Sequence, residues 1–303
     1  MQRIIDILAL SADYLKAKGI PQPRRNAELL LCDVLGKSRL ELYLEHDRPV
    51  TEEQLSALRE LMRARAAHKP LQYVLGKTEF FSLPFQIPEG VFIPRPETEL
   101  LVEEVIRHIR SLPESQQIIV YDVGTGSGCI AVSVASNVPN CRVYASDISA
   151  KAIAVAKDNA ERNGVGERVV LLHGDLFAPY IEHGAPKADV IASNPPYIAE
   201  EDWESLPEEV RRFEPRESLL AGRKGLECLV RIIASATSSL KPGGKIFLEI
   251  GHGQKEAVMA FLQNAYKYID MASRKDYNNI ERVAIATFAA SGEECGAKEK
   301  RDR

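Results

Sequence analysis

The chain has 303 residues, 45% of them hydrophobic, with 39 Lys or Arg against 43 Asp or Glu, a net charge of −4 and a pI near 6.0. That length and apolar content can supply the core of one large or two ordinary domains, and the acidic balance argues against a broad electrostatic footprint for nucleic acid. No run of about 18 apolar residues could span a bilayer, the start Met1-Gln2-Arg3-Ile4-Ile5-Asp6 lacks the apolar centre of a signal peptide, and five scattered cysteines without a C-x-x-C pair fit reduced thiols. A cytoplasmic protein is expected, with no membrane contact.

Residues 1–69 carry helical spacing throughout. Ile4, Ile5, Leu8, Ala12 and Leu15 precede a stop at Gly19 and Pro21; Ala27, Leu30, Leu31 and Val34 precede Gly36; Leu40, Leu42, Tyr43 and Leu44 precede Pro49. Thr51-Glu52-Glu53-Gln54 is a capping-box start for a fourth helix with Leu55, Leu58, Leu61 and Met62. A small helical bundle follows from this. His46 and His68 lack metal-type spacing and read as surface or satisfied histidines.

Over 70–96 the texture changes to short aromatic and β-branched stretches, and Glu79-Phe80-Phe81 with Phe85-Gln86-Ile87 reads as a β-hairpin or linker. In Phe92-Ile93-Pro94-Arg95-Pro96-Glu97-Thr98-Glu99, Pro96 opens a helix running to about Arg110, with Glu97 and Glu99 in its first turn. Beyond Pro113 strands and helices alternate. Strands are expected at 118–121, 142–145, 169–172, 189–192, 245–250, 266–271 and 282–288, helices at 129–136, 149–163, 225–240 and 254–264, and a turn at Lys241-Pro242-Gly243-Gly244. This order specifies an α/β fold, a seven-stranded, mostly parallel, Rossmann-like sheet with helices on both faces. The polar tail over 290–303 reads as disordered.

Two stretches carry candidate chemistry. Gly124-Thr125-Gly126-Ser127-Gly128 follows the first strand and opens a helix, but its third glycine comes one residue earlier than in a dinucleotide fingerprint, and Asp122 would repel a pyrophosphate while accepting from an ammonium group. S-adenosyl-L-methionine is the cofactor that this pattern favours. Asp147, ending the next strand, is placed to accept both ribose hydroxyls; Asp175 would accept from the adenine amino group, with Leu176 packed on the ring. A glycine turn or a strand-end Asp alone is equally a turn or a helix cap. Three in succession favour a site.

Asn194-Pro195-Pro196-Tyr197 directly follows the buried run Val190-Ile191-Ala192-Ser193. The prolines end the strand ladder, and ligands in parallel sheets collect beyond such strand ends. Asn194 offers a side-chain acceptor, Pro195 a free carbonyl and Tyr197 a flat face, a set suited to an NH2 group on a planar carbon. Pro196 completes this substrate pocket, Phe92 walls it, and Asn194 also borders the cofactor. A plain Asn-Pro turn is the alternative. Gly251-His252-Gly253-Gln254 reads as a turn, leaving His252 without a catalytic role.

With these motifs in place, the chain resembles the class I methyltransferases, and more closely the family that methylates a glutamine side-chain nitrogen in peptide-chain release factors. Pro70-Leu71-Gln72-Tyr73, the Phe92–Glu99 stretch, Phe213-Glu214-Pro215-Arg216, Gly225-Leu226 and Leu248-Glu249-Ile250-Gly251 extend the resemblance over nearly the whole chain. It implies a release-factor-binding domain over 1–69, a linker over 70–96 and an S-adenosylmethionine-dependent methyltransferase domain over 97–289, acting on the Gly-Gly-Gln glutamine of class 1 release factors; a monomer is expected. Leu176 stands where some members carry an aromatic. A nucleic-acid amino-group methyltransferase of the adenine N6 type could use the same tetrapeptide, but twelve Lys or Arg against ten Asp or Glu in residues 1–70 give no basic surface for a phosphate backbone.

Overall fold

The computed structural model describes residues 2–113, 115–264 and 267–289; the tail expected over 290–303 lies outside them. By its internal contacts the chain forms two compact units. One comprises the chain up to Thr78 with Ile87–Glu89 and Leu206–Glu214, the other Glu79–Gln86, Gly90–Ser205 and the chain from Pro215 onward.

In the first unit α1 (Ile4–Ala17), α2 (Pro23–Leu35), α3 (Arg39–Leu44) and α4 (Glu52–Ala66) bury Ile4, Leu8, Leu15, Leu30, Leu31, Leu42 and Leu58 together. The apolar spacing that predicts these helices also builds their common core. The capping box at α4 forms as expected: the Gln54 amide donates to Thr51 Oγ1 at 3.3 Å and the Thr51 amide to Gln54 Oε1 at 3.1 Å. Leu71–Leu75 is a further short helix, α5, where the sequence reads as extended or irregular. The segment Leu206–Glu214, holding the helix Glu208–Phe213 (α10 in chain order), counts with this unit although the sequence places it in the catalytic domain. A buried cation explains its place. Arg65 is 3% exposed and donates to Asn26 Oδ1 at 2.7 Å and to the Lys69 carbonyl at 2.8 Å, and its charge is met by Glu209 at 2.9 Å.

The hairpin β1 (Lys77–Phe80) and β2 (Leu83–Gln86) turns through Phe81 and Ser82, both at positive φ, the turn geometry that matches strand twist. Then follow α6 (Thr98–Arg110), β3 (Ile118–Val123), α7 (Cys129–Asn137), β4 (Cys141–Asp147), α8 (Ala150–Arg162), β5 (Val169–His173), α9 (Ala178–His183), β6 (Ala188–Ser193), α11 (Glu227–Ser239), β7 (Leu240–Glu249), α12 (Lys255–Asn264), β8 (Tyr268–Lys275) and β9 (Glu281–Phe288). The seven strands lie in the order β5-β4-β3-β6-β7-β9-β8. The first five are parallel; β9 runs antiparallel to β7 and β8 antiparallel to β9. All six residues of β3 are buried, as a central strand covered on both faces requires. Ile246 and Leu248 join the core of α11 and α12, whereas Phe247 meets His108 of α6 on the other face.

Lys241–Gly244 is not the free turn expected. Ala188 pairs with Leu240 and Val190 with Lys245, so these residues form an irregular bulge within β7, anchored by Lys241 on the Asp189 carboxylate at 2.8 Å. The short α9 has no periodic signal in the sequence. Its Tyr180 stacks on Tyr121 with ring centroids 4.0 Å apart, so sheet packing decides it. Cys129 and Cys141 are buried, Cys32 and Cys228 half-buried, and all four are free thiols.

Candidate active site

The chain runs outward from β3 through β4 to β5 and then returns to β6 on the other side of β3, and a crevice opens at such a reversal beyond the strand ends. The loop after β3 enters it. Gly124 and Thr125 donate their amides to the Ser146 carbonyl at 2.9 and 2.8 Å, and Gly126 donates to Asp147 Oδ2 at 2.8 Å. Gly124, Thr125, Gly126 and Ser127 line a cleft of about 380 Å³. Gly128 stands behind it: at φ +83° its added Cβ would lie 3.0 Å from Ala156 Cβ, so glycine here lets α7 and α8 close together.

Asp122, offered by the sequence as an acceptor for a ligand ammonium, is fully buried and absent from the cleft wall. Its Oδ2 accepts from Thr125 Oγ1 at 2.6 Å and from the Ala131 amide at 3.1 Å, fastening the loop from below, and Oδ1 has no partner among the described residues. Burial pushes this carboxyl up to about 7 against those two hydrogen bonds. Asp147 does face the cleft. Its oxygens accept from Gly126 and Ser149 amides, both at 2.8 Å, which leaves each a further lone-pair direction. Burial raises its pKa, and the same amide bonds oppose the rise.

Asp175 and Leu176 lie in the cleft wall after β5. Asp175 is half exposed and paired with Arg231 of α11, a cleft residue that sequence reasoning missed because nothing distinguishes it from other charges on an amphipathic helix. Leu176 sits at φ 47°, its carbonyl accepting from Ser146 Oγ at 3.1 Å.

Across the crevice β6 ends in the tetrapeptide. Ser193 Oγ donates to the Val123 carbonyl at 2.6 Å, joining the ends of β6 and β3. Asn194, Pro195, Pro196 and Phe92 all line the cleft, and the Pro195 carbonyl accepts no backbone hydrogen bond from the described residues. Asn194 Nδ2 donates to Thr98 Oγ1 at 3.0 Å, leaving Oδ1 as the acceptor. Tyr197 is outside the cleft wall and packs against the sheet core. Gln254 Nε2 donates to the carbonyls of Tyr197 at 2.9 Å and Gly225 at 3.0 Å, and its Oε1 accepts from the Gly251 amide at 2.8 Å. A Cβ on Gly225 would lie 2.5 Å from the Tyr197 carbonyl. Gly225 and Gly251, noted in the sequence without a role, thus form the seat of the tetrapeptide. Gln254, Thr98 and Glu249 have no role legible in the sequence; their only signal is membership in, or adjacency to, the quoted motifs.

Residues 6–76 match the family described as the PrmC N-terminal domain, and residues 97–209 match the methyltransferase small domain. The chain is 40% identical over 282 residues to a release factor glutamine methyltransferase of Chlorobaculum tepidum, covering 92% of this chain and 95% of that one. It is 41% identical over 277 residues to that of Geobacter sulfurreducens, with 91% and 94% covered, and 35% identical over 284 residues to that of Bacillus anthracis, with 94% and 99% covered. Among solved structures, the hMettl16 catalytic domain in complex with the MAT2A 3′UTR hairpin 6 aligns with a TM-score of 0.55 at 18% identity, over 76% of this chain and 83% of that one, a likeness of fold. On its sequence relatives, this chain belongs to the release factor glutamine methyltransferase family.

Proposed function

We propose that the protein transfers a methyl group from S-adenosyl-L-methionine to the side-chain amide nitrogen of the glutamine in the Gly-Gly-Gln motif of class 1 peptide-chain release factors. The observation that carries this reading is Asn194: its Nδ2 is committed to Thr98, so Oδ1 and the neighbouring Pro195 carbonyl are two acceptors for the two hydrogens of one amide.

The cleft fits the cofactor. A Cβ at Gly124 or Gly126 would meet no protein atom within 4 Å, so backbone lies open beside the cleft. Asp147 retains lone pairs for two ribose hydroxyls, Leu176 offers an apolar face to adenine, and Asp175 shares itself between Arg231 and the adenine amino group. The bound cofactor supplies an activated methyl whose departure leaves a neutral thioether. An amide nitrogen is a poor nucleophile because its lone pair is delocalised into the carbonyl, the resonance that gives peptide bonds a rotation barrier of about 18–20 kcal/mol. Asn194 Oδ1 and the Pro195 carbonyl hold both amide hydrogens, which turns the lone pair toward the methyl, while Phe92 walls the pocket. Tyr197, expected from the sequence to pack on the amide plane, lies outside the cleft wall and supports the tetrapeptide through its carbonyl on Gln254. Orientation of this kind is worth up to about 7–11 kcal/mol in favourable cases. No strong base is needed, since the nitrogen proton becomes acidic as the new bond forms.

The helical unit, with Leu10, Tyr14, Leu40 and Leu44 exposed, is assigned to holding the release factor. The reading places a monomer in the cytoplasm; light scattering tests the monomer. The test of function is mass spectrometry of a release factor incubated with the protein and cofactor. One methyl on the Gly-Gly-Gln glutamine supports the proposal, and transfer to DNA or RNA instead overturns it.

A further inference from the structure

Apart from Phe92 on the pocket wall and the Thr98 contact with Asn194, two motifs are unused by the chemistry above, the Phe92–Glu99 stretch and Leu248-Glu249-Ile250-Gly251, and they meet behind Asn194. Thr98, the first residue of α6, is 1% exposed; Glu249, the last residue of β7, is also 1% exposed. The Thr98 hydroxyl hydrogen-bonds the Glu249 carboxylate, and its oxygen receives Asn194 Nδ2 at 3.0 Å. Glu249 Oε2 is buried without a partner among the described residues, so the protein keeps an incompletely satisfied carboxyl group here. Such a group costs stability, which makes its presence informative.

We propose that Thr98 and Glu249 are positioning residues that fix the rotation state of the Asn194 amide, holding its Oδ1 toward the substrate. The inference rests on the proposed glutamine chemistry for its purpose and on hydrogen-bond polarity for its mechanism. A carboxylate can only accept, so the single Thr98 proton goes to Glu249. Thr98 Oγ1 is then an acceptor toward Asn194, which must present Nδ2 to it. A flipped amide would set Oδ1 against Thr98 oxygen and aim a donor at the incoming NH2, where an acceptor is needed. Threonine and glutamate together thus select one of two nearly isosteric states of asparagine.

The polarity depends on the charge of Glu249. Burial lifts this carboxyl to about 7, opposed by the Thr98 hydrogen bond and by Arg282 of β9 and Arg95, while Glu97 beside α6 adds to the rise. Tyr197 and Cys129 of α7 also face it, both with raised pKa and neutral at pH 7. A protonated Glu249 can donate to Thr98, and the bias on Asn194 is lost.

The experiment uses the full chain. Thr98→Val removes the hydroxyl at nearly constant volume, Thr98→Ser keeps it, and Glu249→Gln is a neutral isostere. For Thr98→Val, kcat on a release factor is expected to fall about tenfold, or ~1.4 kcal/mol, with S-adenosylmethionine affinity by calorimetry within about twofold of the parent, and Thr98→Ser is expected to recover most of the loss. A second readout needs no substrate: the side-chain ¹⁵NH2 signal of Asn194, assigned by its absence in Asn194→Ala, should titrate with Glu249 in the parent and not in Thr98→Val or Glu249→Gln. Unchanged kcat in Thr98→Val, equal loss in the valine and serine variants, or a titration indifferent to both replacements would overturn the relay. A parent protein that shows the titration but does not methylate the release factor would leave the relay standing and remove the functional reading instead.

Discussion

Asn194 and Asp147 face one cleft, yet the roles argued for them separate cleanly in kinetics. Asn194 orients the nitrogen and only borders the cofactor, so Asn194→Ala is expected to lower kcat by at least about 100-fold while cofactor affinity, read by calorimetry, changes far less. Asp147 accepts from two backbone amides and has lone pairs left for hydroxyls. Its alanine variant is expected to weaken cofactor binding by roughly 10- to 100-fold, the range of one or two hydrogen bonds to a charged group, with a smaller effect on kcat at saturating cofactor. If Asp147→Ala bound the cofactor normally, the ribose assignment would be wrong. Tyr197 is held by its carbonyl and by the core rather than by the cleft, so comparing Tyr197→Phe with Tyr197→Ala asks whether the ring or the hydroxyl matters.

Single elements depend on a few side chains that bridge distant segments. Asn159 of α8 is fully buried; its Nδ2 donates to the Gln86 carbonyl at 3.1 Å and to Ser127 at 2.9 Å, and its Oδ1 accepts from the Gln86 amide at 2.7 Å. One amide thereby ties the hairpin to the glycine loop. Asn159→Ala leaves buried backbone groups unpaired and is expected to cost about 2–4 kcal/mol in denaturant unfolding. Gly128→Ala sets a side chain in left-handed backbone and against Ala156, and a loss of about 2–4 kcal/mol is expected from strain and overpacking together. A wild-type midpoint in that variant would show that α7 and α8 can part without cost.

For the whole molecule, two buried carboxyls contribute to the pH dependence of stability. Asp122 and Glu249 are both lifted to about 7 by burial. Between their unfolded values near 4 and the folded value near 7 the folded state keeps protons that the unfolded chain has released, so their contribution to stability falls as pH rises through that window and levels off above it. His108, lowered to about 4 by burial, contributes the opposite slope below its ordinary value of 6.5. For Glu249 alone, a rise from 4.5 to about 7 corresponds to roughly 3 kcal/mol. Glu249→Gln is therefore expected to flatten the decline between pH 5 and 8 by up to that amount in chemical denaturation. An unchanged slope would show that Glu249 keeps its ordinary carboxylate range.

Much of this organisation is carried by local pattern. Apolar runs bounded by Gly, Pro and Asp specify the five parallel strands and the helices between them, because burial on both faces demands continuous apolar residues, and that alternation alone dictates a crevice at the strand ends. Gly124 to Ser127, Asp147 and Asn194 to Pro196 follow as its walls because each sits at a strand end. Other features have no local signal. Asp122 looks like a ligand-facing strand end, and only the fold shows it buried under the loop. The Lys241–Gly244 bulge needs Asp189 on the neighbouring strand, α9 needs the face of Tyr121, and Leu206–Glu214 needs the buried charge of Arg65. The meeting of Thr98, Asn194 and Glu249 joins three segments far apart in the chain, and hydrogen-bond polarity among them exists only once the sheet has brought them together. Periodicity and turn chemistry act between neighbours in sequence and are legible there; the pairing of buried polar groups acts between neighbours in space, and the tertiary structure alone decides it.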